Sequence, residues 1–376
     1  MQKSLNSHLQ GVPGDIYMPK KKLLTTFSQA INQAMILEAK HDSSVMFFAQ
    51  GLTDPTAVFG TLKDLTKNIP MQRLIEMPTS ENGSLGIAIG AAMAGMKPIV
   101  SFHRVEFALL ALEQIINNAA KTSFLSEGKL NVPLVIRLIV GRGWGQGPNH
   151  SQSLETIFSH IPGLKVIAPT FPKDAKGMVV SAIRDKNPVI IIEHRWCHYL
   201  EDNVRENNYL SPLVGPKIIK KGQHFTVVCV SYMTIEALIA SNYLEKIGVF
   251  IEIIDVRVLR PLKIDKIYDS INKTKHLMTI DLGWKSFGIG AEILALIFCK
   301  GNINLKKPPV RLGMADKPTP SSRGLVKDHY PNSEKIIIEI GKTLNIDILK
   351  IHKILKLLRK NLSPIDVPNN IFKGPF

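Results

Sequence analysis

Cysteine is scarce in this chain of 376 residues. The three cysteines, Cys197, Cys229 and Cys299, form no CxxC pair and no cluster with histidine. This scarcity argues against a disulfide framework and a structural zinc site, and it is typical of a reducing compartment. The polar N-terminus also lacks the apolar core of a secretory signal. We therefore predict a cytoplasmic location.

Long apolar runs and clustered charges are absent as well. No uncharged apolar stretch approaches the roughly 20 residues that cross a bilayer, so we predict no membrane span. The net charge is +16, but the lysines are dispersed and no aromatic residues interleave with them, which argues against nucleic-acid binding. A hydrophobic content of 45% with 21% charged residues indicates a globular protein, and its length suffices for two domains.

What the chain does have is an unusual segment at residues 76–100. One interior carboxylate, Glu81, precedes a run of small and apolar residues, and no charge lies between Gly83 and Gly95. Such a run is typical of a buried element, where a carboxylate is costly without a partner. A buried acid beside a small cavity suits general acid–base chemistry. The other interpretation is a tightly packed helix with Glu81 as its N-terminal acid.

Short apolar runs alternate with helical patterns between residues 23 and 200. The helical pattern at residues 107–122 is one example. This alternation predicts an α/β fold, in which a parallel sheet is covered by helices on both faces. The strands predicted for this first domain are residues 44–49, 97–102, 133–140, 164–168 and 188–192.

A polar, turn-rich stretch at residues 201–216 is interpreted as a linker. Residues 217–346 then predict a second α/β domain, with strands at 225–231, 249–255 and 276–281 and helices at 233–247 and 288–298.

The two ends of the chain differ from these domains. Residues 1–22 are predicted to form an N-terminal arm, and residues 347–376 a basic amphipathic C-terminal extension. We expect the apolar face of this extension to dock on its own domain or on a partner subunit, with binding to a membrane surface as the alternative. That face comprises Ile351, Ile354, Leu355, Leu358 and Leu362.

Several motifs occur in an order that identifies a family. A helix ends in Ala-Ala-Lys-Thr at residues 119–122, a glycine-rich loop at 141–152 contains His150, and Arg-Asp-Lys-Asn-Pro occupies 184–188. The second domain adds Gly-Trp-Lys-Ser-Phe-Gly at 283–288. Together with Glu81, these motifs resemble the β subunits of thiamine-diphosphate-dependent 2-oxo acid dehydrogenases of the pyruvate and branched-chain type. The resemblance extends over residues 23–346.

The resemblance implies a pyrimidine-binding domain at residues 23–200, followed by a transketolase C-terminal-like domain, in an α₂β₂ heterotetramer. In this family thiamine diphosphate lies between the α and β subunits, and a Gly-Asp-Gly…Asn motif of the α subunit holds its diphosphate and Mg²⁺. The present chain lacks that motif. The resemblance thus implies an enzyme that is active only with an α partner. It would decarboxylate a 2-oxo acid and pass the acyl or aldehyde unit to an acceptor, such as that of a lipoyl acyltransferase.

The resemblance also implies a role for individual residues. Glu81 hydrogen-bonds the pyrimidine ring of the cofactor and promotes loss of the thiazolium-carbon proton. Phe107 stacks on that ring, His103 lines the site, and His150 transfers protons or orients the acceptor near the reacting carbon. Glu81 and His150 are therefore the catalytic candidates, and Glu81, Phe107 and His103 the cofactor-binding candidates. A structural K⁺ is implied at oxygen atoms of Leu134, Ala182, Asp185 and Asn187.

Some positions depart from the family pattern. His103 and Arg104 stand where apolar or amide side chains are usual, which suggests a divergent branch whose 2-oxo acid carries a polar or anionic group. A salt bridge from either residue to Glu106 or to the α subunit is the alternative. Two other functions stay open: the C-terminal half of a split transketolase or an acyloin-type carboligase, and a non-catalytic assembly subunit.

Overall fold

The structure, a computed structural model, describes residues 22–54, 58–143, 145–362 and 366–367. Its strands are β1 (Lys22–Thr26), β2 (Val45–Ala49), β3 (Leu74–Glu76), β4 (Lys97–Phe102), β5 (Val135–Val140), β6 (Lys165–Ile167), β7 (Val189–His194), β8 (Glu201–Arg205), β9 (Lys217–Lys220), β10 (Phe225–Cys229), β11 (Ile251–Asp255), β12 (Val258–Arg260), β13 (Leu277–Trp284) and β14 (Val310–Met314). Its α-helices are α1 (Phe27–His41), α2 (Leu65–Asn68), α3 (Glu81–Met93), α4 (Thr122–Leu125), α5 (Gly147–His150), α6 (Glu155–Ser159), α7 (Pro172–Ile183), α8 (Met233–Leu244), α9 (Asp265–Thr274), α10 (Ile289–Lys300), α11 (Ser333–Thr343) and α12 (Ile348–Arg359). The predicted N-terminal arm lies outside the described residues, except for Lys22, which begins β1.

Seven strands form the first sheet, in the order β12-β6-β7-β5-β4-β2-β3. Neighbouring strands run parallel, except that β12 is antiparallel to β6. Helices α1 and α7 cover one face, and α3 covers the other. Every residue of β5 is buried, as expected of a strand covered on both faces. The five strands predicted for this domain are all present, and the predicted α/β fold is confirmed.

A second sheet of five strands has the order β14-β13-β10-β11-β9. Its strands are parallel apart from β9, which pairs antiparallel with β11. Helices α8 and α11 pack on one face, and α9 and α10 on the other. The predicted strands and helices of this region are present, with ends shifted by a few residues.

Two strands join parts of the chain that the sequence pattern separates. Strand β8 lies inside the predicted linker and pairs antiparallel with β1. Strand β12 lies within the range predicted for the second domain, yet it extends the first sheet beside β6. Strand β8 has one buried residue, Val204, and β12 spans only Val258–Arg260. Neither strand therefore has the apolar periodicity on which a strand prediction depends.

The segment predicted as an α-helix at residues 107–122 has a different geometry. It begins as a 3₁₀-helix at Val105–Ala111 and continues as a π-helix at Gln114–Ala119. One side chain competes locally with the backbone ladder: the Thr122 hydroxyl donates to the Asn118 carbonyl at 2.6 Å. The predicted helical pattern is therefore present, with 3₁₀ and π geometry.

The C-terminal extension forms helix α12, which packs on its own domain. Ile351, Ile354, Leu355 and Leu358 are buried in the cluster that contains α8 and α11, while Leu362 lies beyond the helix and is exposed. The docked-helix interpretation is thus confirmed for four of its five apolar residues. In the part of the chain that the structure describes, no helix combines the length and the apolar composition needed to cross a membrane.

Two buried carboxyl groups, one from each domain, lie near each other. Asp281 of β13 accepts hydrogen bonds from the N–H groups of Gly283, at 2.9 Å, and Gly290, at 3.3 Å. Glu155 of α6 accepts a 2.7 Å hydrogen bond from the Ser153 hydroxyl. Burial and the neighbouring Glu155 charge raise the pKa of Asp281 to about 8, and burial raises the pKa of Glu155. The protonated form of this pair is therefore favoured in the folded chain.

This pair predicts a stability that falls as pH rises. A carboxyl whose folded pKa lies above its unfolded pKa stabilises the fold below the unfolded value, and that stability is lost as pH rises through the folded pKa. For Asp281 the window is from about 3.8 to about 8. We expect Asp281→Asn to flatten the profile by at most about 1.4 kcal/mol per pH unit, measured by urea unfolding from pH 5 to 9. The exposed Asp269→Asn is the control, and parallel profiles for wild type and Asp281→Asn would contradict the assignment.

Candidate active site

Glu81 begins helix α3 and is buried, with 5% of its surface exposed. The preceding Ser80 makes no side-chain capping bond. The Glu81 carboxylate has no hydrogen-bond donor among residues 22–54, 58–143, 145–362 and 366–367. Both interpretations of the sequence therefore hold for its position: it is a helix N-terminal acid and it is buried. A carboxylate in such a place favours an incoming hydrogen-bond partner.

His103 follows β4 and bonds to the loop after β2. Its Nε2 donates to the backbone carbonyl of Gln50. The carboxylate of Glu76, at the end of β3, holds the same loop by accepting the N–H of Leu52 at 2.9 Å and that of Gly51. Burial, together with the nearby positive charge of Arg137, lowers the pKa of His103. His103 thus bridges the end of β4 and the loop after β2.

Arg104, Glu106, Phe107 and His150 form a cluster at the end of β4 and β5. The Glu106 carboxylate contacts Nδ1 of His150. Arg104 donates from Nη1 to the backbone carbonyl of His150 at 2.8 Å. The half-buried ring of Phe107 lies 6.0 Å from the His150 ring, centroid to centroid, at an interplanar angle of 50°. Glu106 therefore pairs with His150, whereas the sequence suggested His103 or Arg104 as its partner.

A second arginine adds positive charge to this region. Arg195 follows β7, and its guanidinium carbon lies 3.8 Å from the centroid of the Phe59 ring, a cation–π contact. Burial, followed by repulsion from Arg104, lowers the pKa of Arg195 to about 9. The two guanidinium groups thus influence each other, and that of Arg104 contacts the backbone of His150.

A buried ion pair lies within the sheet beneath these residues. Arg137 of β5 donates to both carboxylate oxygens of Glu193 in β7, at 2.6 and 2.8 Å, and to the Ser101 hydroxyl of β4 at 3.1 Å. Both charged side chains are fully buried. Burial raises the pKa of Glu193, but the charge and hydrogen bonds of Arg137 and the nearby His198 outweigh it and hold the pKa at about 2. The pair joins three adjacent strands at the base of the site.

The residues predicted for a cation lie at the amino ends of β5 and β7, opposite the carboxyl ends of the strands near the candidate site. The Leu134 carbonyl accepts the N–H of Val189 at 2.9 Å, and the Ala182 carbonyl accepts the N–H of Asp185 at 3.2 Å. Asp185 also accepts the N–H of Asn187 at 3.0 Å. The donor set is entirely oxygen, which suits a hard cation. The other carboxylate oxygen of Asp185 pairs with the Lys165 ammonium.

Of the predicted site residues, the structure brings Phe107 and His150 into contact, while the cation residues lie apart from them. His103 and His150 follow neighbouring parallel strands, and α3, which begins at Glu81, packs on the segment that carries Phe107. The carboxyl ends of parallel strands are the usual ligand-binding edge of an α/β sheet. Sequence reasoning missed Arg195 and the role of Glu106, although the position of Glu106 beside Phe107 was a usable signal.

Comparison with known families follows this geometry. Residues 25–197 match the family model described as "Transketolase, pyrimidine binding domain", and residues 216–336 match "Transketolase, C-terminal domain". Fold and site therefore define a protein of the transketolase-like, thiamine-diphosphate-dependent class. A solved structure described as "Split gene transketolase, inactive beta4 tetramer" has the same fold, with a TM-score of 0.67 and 18% identity, over 87% of this chain and 99% of that chain.

Relatives with higher sequence identity define the family within this class. The pyruvate dehydrogenase E1 component subunit beta of Bos taurus is 39% identical over 86% of this chain and 92% of its own length. The corresponding subunit of Rickettsia bellii is 34% identical over 85% of this chain and 99% of its own length. The chain belongs to the family of E1 β subunits of thiamine-diphosphate-dependent, decarboxylating 2-oxo acid dehydrogenases, of the pyruvate dehydrogenase type. The predicted family is confirmed, and the split-transketolase and assembly-subunit alternatives are not favoured.

Proposed function

We propose that this chain supplies the aminopyrimidine half of a thiamine diphosphate site that it shares with an α subunit in an α₂β₂ enzyme. The observation that carries this proposal is Glu81, a buried carboxylate with no donor among the described residues, at the start of a helix packed beside Phe107. A ring nitrogen of the ligand is a partner that such a carboxyl can take.

The residues at this edge fit the pyrimidine end of the cofactor. When bound, thiamine diphosphate supplies a carbon nucleophile and an electron sink for the loss of carbon dioxide. Glu81 holds a proton against the ring nitrogen, and the half-buried Phe107 presents an aromatic face for stacking. His103 fixes the loop at residues 50–52 that borders the ligand, and His150 moves protons near the reacting carbon.

The α subunit would cover an exposed apolar face next to this site. We propose that it brings the Gly-Asp-Gly…Asn motif, which this chain lacks, and with it the diphosphate and Mg²⁺ ligands. Exposed apolar side chains on α3 and on the segment that packs against it support this face as the contact. They are Ile87, Met93, Leu110, Phe124 and Leu125.

We also propose a structural K⁺ between the start of β5 and the C-terminus of α7. The Leu134 carbonyl accepts one hydrogen bond and keeps a second lone pair for a cation, whereas the Ala182 carbonyl already accepts from the N–H groups of Arg184 and Asp185. Asp185 and Asn187 lie in the adjoining turn. The ion would tie the C-terminus of α7 to the start of β5.

The finer assignments of substrate and setting are also proposals. Positive charge from Arg104, which contacts the His150 backbone, and from Arg195, which lies near Arg104, favours a 2-oxo acid with an additional anionic group over pyruvate. A lipoyl acyltransferase is the proposed acceptor of the acyl unit. We keep the domain boundaries at residues 200 and 217 and the cytoplasmic location as proposals. The free cysteines support a reducing compartment, although the Bos taurus relative is named as mitochondrial.

The test is co-expression of this chain with an α-type protein that carries the Gly-Asp-Gly…Asn motif. We expect a purified complex whose reduction of an artificial electron acceptor requires a 2-oxo acid, thiamine diphosphate and Mg²⁺. Pyruvate, branched-chain 2-oxo acids and dicarboxylic 2-oxo acids are compared by kcat/KM, with the chain alone as the control.

Two outcomes decide the proposal. The lone chain should bind thiamine diphosphate weakly in titration calorimetry, because it lacks the diphosphate and metal ligands. Tight Mg²⁺-dependent binding by the lone chain, or a stable complex that is inactive with every 2-oxo acid, would refute the shared site. Equal or better kcat/KM for pyruvate than for dicarboxylic 2-oxo acids would refute the anionic preference alone.

A further inference from the structure

Glu106 contacts the ring of His150 and is the more buried of the two residues. The carboxylate meets Nδ1 of the ring, and its side chain is 10% exposed, against 45% for the histidine. A surface ion pair of two exposed, flexible groups contributes little. Here one partner is held in place by its surroundings, so the contact restricts the orientation of the other.

The same segment holds the backbone of His150. Arg104 donates to its carbonyl at 2.8 Å, two residues before Glu106 in the chain, and the Phe107 ring lies beside the imidazole. The loop before His150 has glycines with left-handed backbone, Gly143 (φ 100°), Gly145 (φ 69°) and Gly147 (φ 66°). Such glycines give a loop many accessible conformations, so these contacts are what determine where the imidazole points.

We propose that Glu106 is a positioning residue that holds His150 with its proton on Nδ1 and its Nε2 directed at the reacting atoms. The Nδ1–H donates to the Glu106 carboxylate, which leaves the Nε2 lone pair to accept a proton and later return it. A carboxylate behind a functional histidine fixes both ring orientation and tautomer in this way. The catalytic part of this inference rests on the proposed function, because it takes His150 as the proton-transferring group.

The first experiment reads the tautomer directly and needs no substrate. The full chain is labelled with ¹⁵N-histidine, and the His150 signals among its 11 histidines are assigned by their loss in His150→Gln. We expect the Nδ1–H form in the wild type. Glu106→Gln keeps an acceptor oxygen and should keep this form, whereas Glu106→Ala should shift His150 to a mixture with the Nε2–H form. The exposed Glu127→Gln, from a surface pair with Lys129, is the matched control and should resemble wild type.

The second experiment measures 2-oxo acid turnover in the α/β complex. We expect Glu106→Ala to lower kcat by about 10- to 100-fold, by analogy with the loss of a carboxylate behind a metal-bound histidine, with KM changed less than about twofold. Glu106→Gln should lie between Ala and wild type, because it keeps the hydrogen bond and loses the charge. Circular dichroism and gel filtration verify that each variant is folded and assembled.

The outcomes separate the two proposals. Glu106→Ala with a wild-type tautomer would overturn the positioning role, whatever happens to kcat, and so would an altered tautomer with unchanged kcat in an active complex. If Glu106→Ala does not fold, the folded Glu106→Gln decides: wild-type kcat in that variant counts against the role. A wild-type complex without 2-oxo acid activity refutes the proposed function, while the tautomer result still stands or falls independently.

Discussion

Glu81→Gln should abolish most of the activity of the α/β complex while leaving the fold and cofactor binding in place. We expect turnover of the 2-oxo acid to fall by about 10²–10⁴-fold, the usual contribution of a positioned acid or base. Glutamine has the same shape but cannot share a proton with the ring nitrogen. The direct measurement is exchange of the thiazolium-carbon proton for deuterium in the assembled complex, followed by NMR, which should slow by a similar factor.

The matched control for Glu81 is Glu292, an exposed acid in the first turn of α10. If Glu81 served only as a helix N-terminal acid, both Gln variants would lose about 0.3–1 kcal/mol of stability and retain activity. Activity and proton exchange at wild-type rates in Glu81→Gln would remove the catalytic assignment. Titration calorimetry with thiamine diphosphate distinguishes a lost proton transfer from lost binding.

Arg137→Met is the substitution expected to destabilise the fold most. It leaves the fully buried carboxylate of Glu193 without its bidentate partner, and breaking a buried pair in this way typically costs about 3–5 kcal/mol. Urea unfolding monitored by circular dichroism measures the loss. The wild-type pKa of about 2 for Glu193 means that its contribution is present above the unfolded pKa and is lost as pH falls toward 2.

The double variant Arg137→Met/Glu193→Gln tests the cause. Removing both charges eliminates the uncompensated carboxylate, so we expect it to be more stable than Arg137→Met alone, and a double-mutant cycle gives the coupling energy. A loss below about 1 kcal/mol for Arg137→Met would show that His198 and the surrounding dipoles compensate the carboxylate without the guanidinium.

The sequence predicted those elements whose signal is local. The five apolar runs of the first domain were identified as strands because a strand buried on both faces is mostly apolar, as in β5, where Arg137 is the one charged residue. The apolar face of α12 was also predicted, because its apolar residues recur at helical spacing. Leu362, one step further along that period, is exposed because the helix ends at Arg359.

Elements that depend on distant partners were not predicted. Strand β8 is polar, and it exists because β1 pairs with it. In the site, Glu81, His103, Phe107 and His150 were named through family resemblance. The pairing of Glu106 with His150 joins residues 44 apart in sequence, and only the parallel register of β4 and β5 brings their ends together. The pattern therefore identified which residue types carry chemistry but not which of them are partners.

The position of β12 has a consequence for biosynthesis. Strand β6 is the edge strand of the first sheet until Val258–Arg260 has been synthesised and pairs with it. During translation at about 5–20 residues per second, the ribosome therefore exposes an unpaired strand edge for several seconds. Such an edge recruits other chains. A fragment that stops at residue 200 would keep that edge permanently, so the nascent chain has reason to depend on chaperones until its second half is made.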